Sequence, residues 1–130
     1  MPHDERHLNT QVPIEGVQIG GFRFGGNHNG MSHQGSLIGL PGRTQAWQPP
    51  ASAFDMTVED LEPVLRIADQ LDVLVIGTGG DIATLPDAVR HAMREAGVGM
   101  EVSTTRTAVR TYNILLSEDR RVAAALMVLT

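Results

Sequence analysis

The stretch from Leu71 to Asp81 limits what this chain can fold into more than any other. Leu71-Asp72-Val73-Leu74-Val75-Ile76 is a short apolar run rich in β-branched residues, and it stops at Gly77-Thr78-Gly79-Gly80-Asp81. A run of this length, bounded by turn residues, reads as a strand covered on both faces. A helix pattern follows the glycines, so the strand should empty into a βα turn. We take this run as the central strand of the domain.

The rest of the chain is read around it. Residues 1–11 are polar and without period, and we expect a disordered tail, with residues 12–130 as one α/β domain. His3 and His7 on that tail read as solvated rather than as metal ligands. From Val12 to Leu40 the period is that of strands: Val17 and Ile19 alternate with Gln18, and Phe22 and Phe24 with Arg23. Asn29-Gly30 predicts a type I′ hairpin turn, with His28 and His33 as surface residues beside it. Ser36 to Leu40 and Arg43 to Gln48 read as two more strands. Trp47 should cap a core edge, with its N–H finding a partner.

Thr57 to Asp60 has the form of a capping box, opening a helix whose apolar residues are Leu61, Val64, Leu65, Ala68 and Leu71. Pro63 must lie in its first turn or kink it. A second helix is expected with Thr84 as its cap and Gly97 as its C-terminal stop, then a short strand at Met100 to Ser103. A third helix is capped at Thr104 or Thr105 and runs to about Leu116. Arg121 to Leu129 should be the last strand. Helix and strand alternate from Thr57 onward, which argues α/β; the glycine-rich hairpins before it form an extra β layer or an edge of the same sheet.

Composition removes several kinds of chemistry. There is no Cys, so disulfides, thiolate metal sites and Cys nucleophiles are excluded. All ten basic residues are Arg, which excludes a Schiff-base lysine and a P-loop lysine. The net charge of −5 and 4% aromatic content argue against nucleic acid as a partner. No apolar run approaches the roughly 20 residues of a membrane span. We expect no metal and no cofactor.

The candidate ligand-binding residues are Gly77, Thr78, Gly79 and Gly80, joined by Arg110 and Asn113 from the third helix. A glycine turn beyond a strand's carboxyl end is where open α/β sheets bind ligands, and main-chain N–H groups there can cradle an anion. The turn lacks the closing residues of a P-loop and the third glycine of a dinucleotide fingerprint. The plainer alternative is a tight turn that needs glycine for its φ angles. Arg106, Arg110, Asn113 and Ser117 form a polar stripe that could meet a carboxylate or a partner, or simply face water. No nucleophile elbow is present, so no catalytic residue is assigned.

Three segments carry a resemblance: Gly20-Gly21-Phe22-Arg23-Phe24 with His33-Gln34-Gly35-Ser36-Leu37-Ile38, Pro41-Gly42 and Trp47; Asp72 to Gly79; and Ala108-Val109-Arg110-Thr111-Tyr112-Asn113-Ile114-Leu115-Leu116 with Arg120-Arg121-Val122-Ala123-Ala124-Ala125-Leu126. The chain resembles, from Ile14 to Met127, a small family of unknown biochemical function. That family includes the mitochondrial respiratory complex I assembly factor 3 and uncharacterised bacterial proteins. The hairpin tip Asn27 to Met31 departs from the pattern. The resemblance implies a three-layer domain with a central mixed sheet, helices on both faces and a small extra N-terminal β element. It implies no established catalytic activity, and for the mitochondrial member a role in early assembly of a membrane respiratory complex through protein contacts.

The expected function is therefore non-enzymatic binding or assembly, with an unidentified protein partner and with homo-oligomerisation left open. The alternative is a small-molecule or anion-binding domain, a cryptic enzyme, at Gly77 to Gly80. The N-terminus has no transit-peptide pattern, which points to a bacterial, cytoplasmic protein; a mitochondrial one would require a transit peptide outside the given sequence.

Overall fold

The computed structural model describes the backbone of His3–Asp4 and all of residues 7–130. Among the described residues, ten strands and three α-helices follow one another in the chain. They are β1 (His3–Asp4), β2 (His7–Leu8), β3 (Ile14–Gln18), β4 (Gly21–Phe24), β5 (Met31–Gln34), β6 (Leu37–Leu40), β7 (Arg43–Ala46), α1 (Glu62–Arg66), β8 (Val73–Gly77), α2 (Asp87–Glu95), β9 (Gly99–Ser103), α3 (Thr105–Ser117) and β10 (Val122–Leu126). Of the stretch expected as a tail, β1 runs beside β5 and β2 beside β7. Met1, Pro2, Glu5 and Arg6, and the side chain of His3, lie outside the described residues.

The strands make two sheets. One has six strands in the order β2-β7-β6-β10-β8-β9, and the other four in the order β1-β5-β4-β3. In the larger sheet β10, β8 and β9 run parallel, while β6 and β7 are antiparallel to their neighbours, so the sheet is mixed. The apolar run of β8 is an interior strand, as its composition demands, with Leu74 to Gly77 all buried. The middle of the sheet, however, belongs to β10, which lies between β6 and β8 and is buried along its whole length.

Burial on both faces gives two hydrophobic clusters and hence three layers. Leu74, Ile76, Ala123 and Ala125 face Leu61 and Val64 of the first helical segment and Val89 and Met93 of α2. Val75, Val122, Ala124 and Leu126 face Ala108, Val109 and Tyr112 of α3, together with Ile14, Phe22 and Phe24 of the smaller sheet. The small sheet and α3 thus share one side of the large sheet. The mixed sheet, the helices on both faces and the extra β element agree with the expected architecture.

Local structure departs from expectation where backbone chemistry competes with pattern. The capping box forms: Thr57 N–H and Oγ1 both donate to Asp60 Oδ2, at 2.8 and 3.1 Å, and Asp60 N–H donates to Thr57 Oγ1 at 3.3 Å. The expected single helix after it is broken into a 3₁₀ turn at Glu59–Leu61, the short α1 carrying Pro63 in its first turn, and a second 3₁₀ turn at Ala68–Gln70. The second helix starts at Asp87 with Pro86 at the cap position, so Thr84 is not its cap. Its end is a Schellman motif, with Val98 N–H bonded to Met93 O and Gly97 N–H to Arg94 O, both at 3.0 Å.

The Asn29-Gly30 turn is not type I′. Asn29 has φ −57° and ψ 132°, and only Gly30 is left-handed, at φ 96°, so the pair makes a type II corner after a 3₁₀ turn at Gly26–His28. His33 is also not a surface residue: it is buried, with Nε2 3.0 Å from Ser36 O and its ring beside Phe24. Trp47 is buried and its indole N–H donates to Asp60 O at 2.8 Å.

Candidate functional site

The glycine turn is built by three segments that converge at the carboxyl ends of β8 and β10. Gly77 closes β8, and its carbonyl accepts from Met127 N–H at 3.0 Å. A methyl group on Gly77 would lie 2.8 Å from the Cα of Thr105 and 3.2 Å from the Cβ of Ala108, so glycine is required for α3 to come this close. Gly79 has φ 94°, a conformation that L side chains rarely adopt. The helix start nearest this turn is that of α3; α2 begins only at Asp87, after a loop of residues 78–86.

Thr105 ties the three segments together. It is the first residue of α3, fully buried, and its hydroxyl donates to Met127 O at 2.6 Å while accepting from Gly79 N–H at 2.9 Å. Its own N–H donates to Gly79 O at 2.9 Å. Thr78 N–H donates to Ser103 O at 2.9 Å, and the Thr78 hydroxyl donates to Asp81 O at 2.7 Å. The N–H groups of Thr78 and Gly79 are therefore directed into the protein. An anion cradle needs such groups aimed outward, and at these two positions they are not.

Outside the turn lies an open depression of about 300 Å3. Gly79, Gly80 and Asp81 border it, Met127 and Val128 form part of its floor, and Phe54 and Ile82 stand at its edge. Phe54 is 64% exposed and Ile82 68% exposed, which is unusual for side chains of this size in one place. Phe54 sits on a 3₁₀ turn, Ala53–Asp55, whose first free N–H groups are satisfied by Ser52 through its hydroxyl (to Phe54 N–H, 3.2 Å) and carbonyl (to Asp55 N–H, 3.0 Å). Ile82 follows Asp81, whose carbonyl is held by Thr78.

Arg110 and Asn113 are not at this turn. On a helix that rises about 1.5 Å per residue they lie roughly 8 and 12 Å along the axis from Thr105. Asn113 pairs with the main chain of β3, donating to Ile14 O at 2.7 Å and accepting from Ile14 N–H at 2.9 Å. Arg106 of the same polar stripe donates to Val17 O at 3.0 Å. The stripe thus follows β3, and Arg110, between these two, is exposed.

Sequence reasoning missed Phe54, Ile82 and Thr105. An isolated aromatic in a connector carries no periodic signal, and a threonine at a helix start reads as a cap. Among the described residues no group of three or more His, Asp or Glu could hold a metal ion, and no helix is long and apolar enough to cross a membrane.

Fold and site together define a three-layer α/β domain with a mixed sheet and an apolar-rimmed depression at the carboxyl ends of its parallel strands. Residues 14–127 match the model of a family described as a protein of unknown function (DUF498/DUF598), and the chain belongs to that family. An uncharacterized protein of Rhodobacter capsulatus is 38% identical over 116 residues, covering 89% of this chain and 84% of that protein. The NADH dehydrogenase (ubiquinone) 1 alpha subcomplex assembly factor 3 of Danio rerio is 36% identical over 131 residues, covering 95% of this chain and 75% of that protein. A crystal structure described as an outer membrane protein from Bartonella henselae superposes with a TM-score of 0.84 at 38% identity, covering 94% of this chain and 98% of that one. Relatives named as assembly factors support a role related to assembly.

Proposed function

We propose that the protein is a non-enzymatic binding factor that acts through protein contacts in the assembly of a membrane respiratory complex, in the cytoplasm of a bacterial cell. The contact surface we assign is the depression beside the glycine turn. The observation that carries this reading is the pair Phe54 and Ile82, both largely exposed and both lining one depression. Covering each against a partner would contribute about 1.5–3 kcal/mol, a large share of what a specific interface needs. The assembly-factor relative supports the choice of partner class.

The test is a crosslinked pull-down from the native cell with the wild-type chain and with a Phe54→Ser, Ile82→Ser double variant. Subunits or assembly intermediates of a respiratory complex should be recovered with the wild type and lost with the variant, while the variant's thermal midpoint stays near that of the wild type. Recovery of the same proteins by both chains, or of no respiratory subunit by either, would refute the assignment.

A further inference from the structure

β9 forms one margin of the six-strand sheet and, among the described residues, pairs with β8 alone. Two bonds fix which of its main-chain groups face β8: Gly99 N–H donates to Asp72 O at 3.0 Å, and Ser103 O accepts from Thr78 N–H at 2.9 Å. Main-chain groups alternate sides along a strand, so Gly99, Glu101 and Ser103 turn theirs toward β8. The N–H and C=O groups of Met100 and Val102 point the other way, as a short open ladder. The side chains of these two residues pack on the α2 side of the sheet. There a groove of about 270 Å3 has Met93, Val98 and Met100 as its apolar lining and Arg90 and Arg94 at its border. Neither arginine takes part in an ion pair among the described residues, in a molecule whose net charge is −5.

We propose that β9 is a docking edge for an extended acidic segment of another protein. The segment adds a strand beside β9 and sets two carboxylates against Arg90 and Arg94. This surface is separate from the Phe54–Ile82 depression and does not depend on it.

Charge disfavours a second copy as the occupant. A two-fold pairing of β9 with itself that satisfies all four outward groups matches Met100 with Val102 of the other copy. It places Glu101 directly opposite Glu101 and brings the two α2 helices, with their arginines, to the same side. Like charges directly opposite on neighbouring strands repel. A foreign strand avoids both conflicts if it carries acids at two alternate positions, facing α2, and a residue that is not acidic between them, facing Glu101. Main-chain bonds would give such a strand its affinity, and Arg90 and Arg94 its selectivity.

The probe is a blocked decapeptide of alternating threonine and glutamate, added to the full chain at about 2 mM while amide exchange is followed by NMR. The Met100 and Val102 amides should slow about tenfold, while Glu101, already bonded to β8, should not change. The effect should weaken with salt, vanish with an alternating threonine–lysine peptide, and vanish in an Arg90→Ala, Arg94→Ala variant. Three results overturn the proposal: no slowing with the glutamate peptide, equal slowing with the lysine peptide, or slowing of the same amides when the chain alone is concentrated. The last would mean that a second copy fills the edge. The peptide comparison needs no variant, so it decides the matter even if the double substitution disturbs α2.

Discussion

Thr105 shows how much one hydroxyl can hold in place. It bonds to residues 22 and 26 positions away, and without it the Gly79 N–H and the Met127 carbonyl are left in a buried place with no partner. Thr105→Val keeps the shape and removes the oxygen, so it should cost about 2–4 kcal/mol in urea unfolding, with Thr105→Ser recovering most of the loss. Nothing in the sequence announces this role, because the partners are distant and the threonine one residue earlier, Thr104, is an equally good candidate for the cap. Asn113 draws notice in the sequence for its polarity, yet its amide is taken up by the Ile14 main chain. In one sequence, polar groups that fasten two layers together look the same as polar groups that wait for a ligand. The need for glycine at position 79, set by its φ angle, was legible; at position 77 it comes from the approach of α3, which the sequence does not display.

At the level of elements, strong local chemistry was readable and competing local chemistry was not. The Thr57–Asp60 box forms in full, yet the helix it should launch is interrupted. Pro63 confines regular helix to a few residues, and the tail of the pattern tightens into a 3₁₀ turn. The box then contributes to a short, marginal element whose anchor is Leu61 and Val64 in the core. Thr57→Ala should cost about 1 kcal/mol, seen as a fall of roughly 3–5 °C in the thermal midpoint. The type II corner at Asn29-Gly30 has a similar lesson. The dipeptide marks a turn, while the preceding 3₁₀ residues decide its type, and a dipeptide rule does not include them.

For the whole molecule, the interior strand, the α/β alternation and the final strand were all written in hydrophobic pattern. The split into two sheets was not, since strand partners are chosen by long-range packing that a single sequence leaves open. Tyr112 stands between those sheets: its hydroxyl donates to Val12 O at 2.8 Å, and burial raises its pKa above the ordinary phenol value of 10.0. A raised folded-state pKa means that stability is complete below the unfolded value and is lost as pH rises past it. The chain has no Lys and no Cys, and Tyr112 is its one tyrosine, so no other side chain has an ordinary pKa near 10. Urea midpoints measured from pH 8 to 11 should be level and then fall above about pH 10. Tyr112→Phe should start lower, by about 1 kcal/mol for the lost bond, and show no such fall. Phenolate absorbance in the wild type should rise only with unfolding.

The placement of β10 has a consequence for synthesis on the ribosome. It is the strand inserted between β6 and β8, and every other strand precedes it in the chain. Until residues 122–126 have left the exit tunnel, β6 and β8 each offer a bare hydrogen-bonding margin with apolar residues on both sides. The nascent protein spends that interval as two sticky halves, and a message broken before this segment would yield a product suited to aggregate rather than to fold.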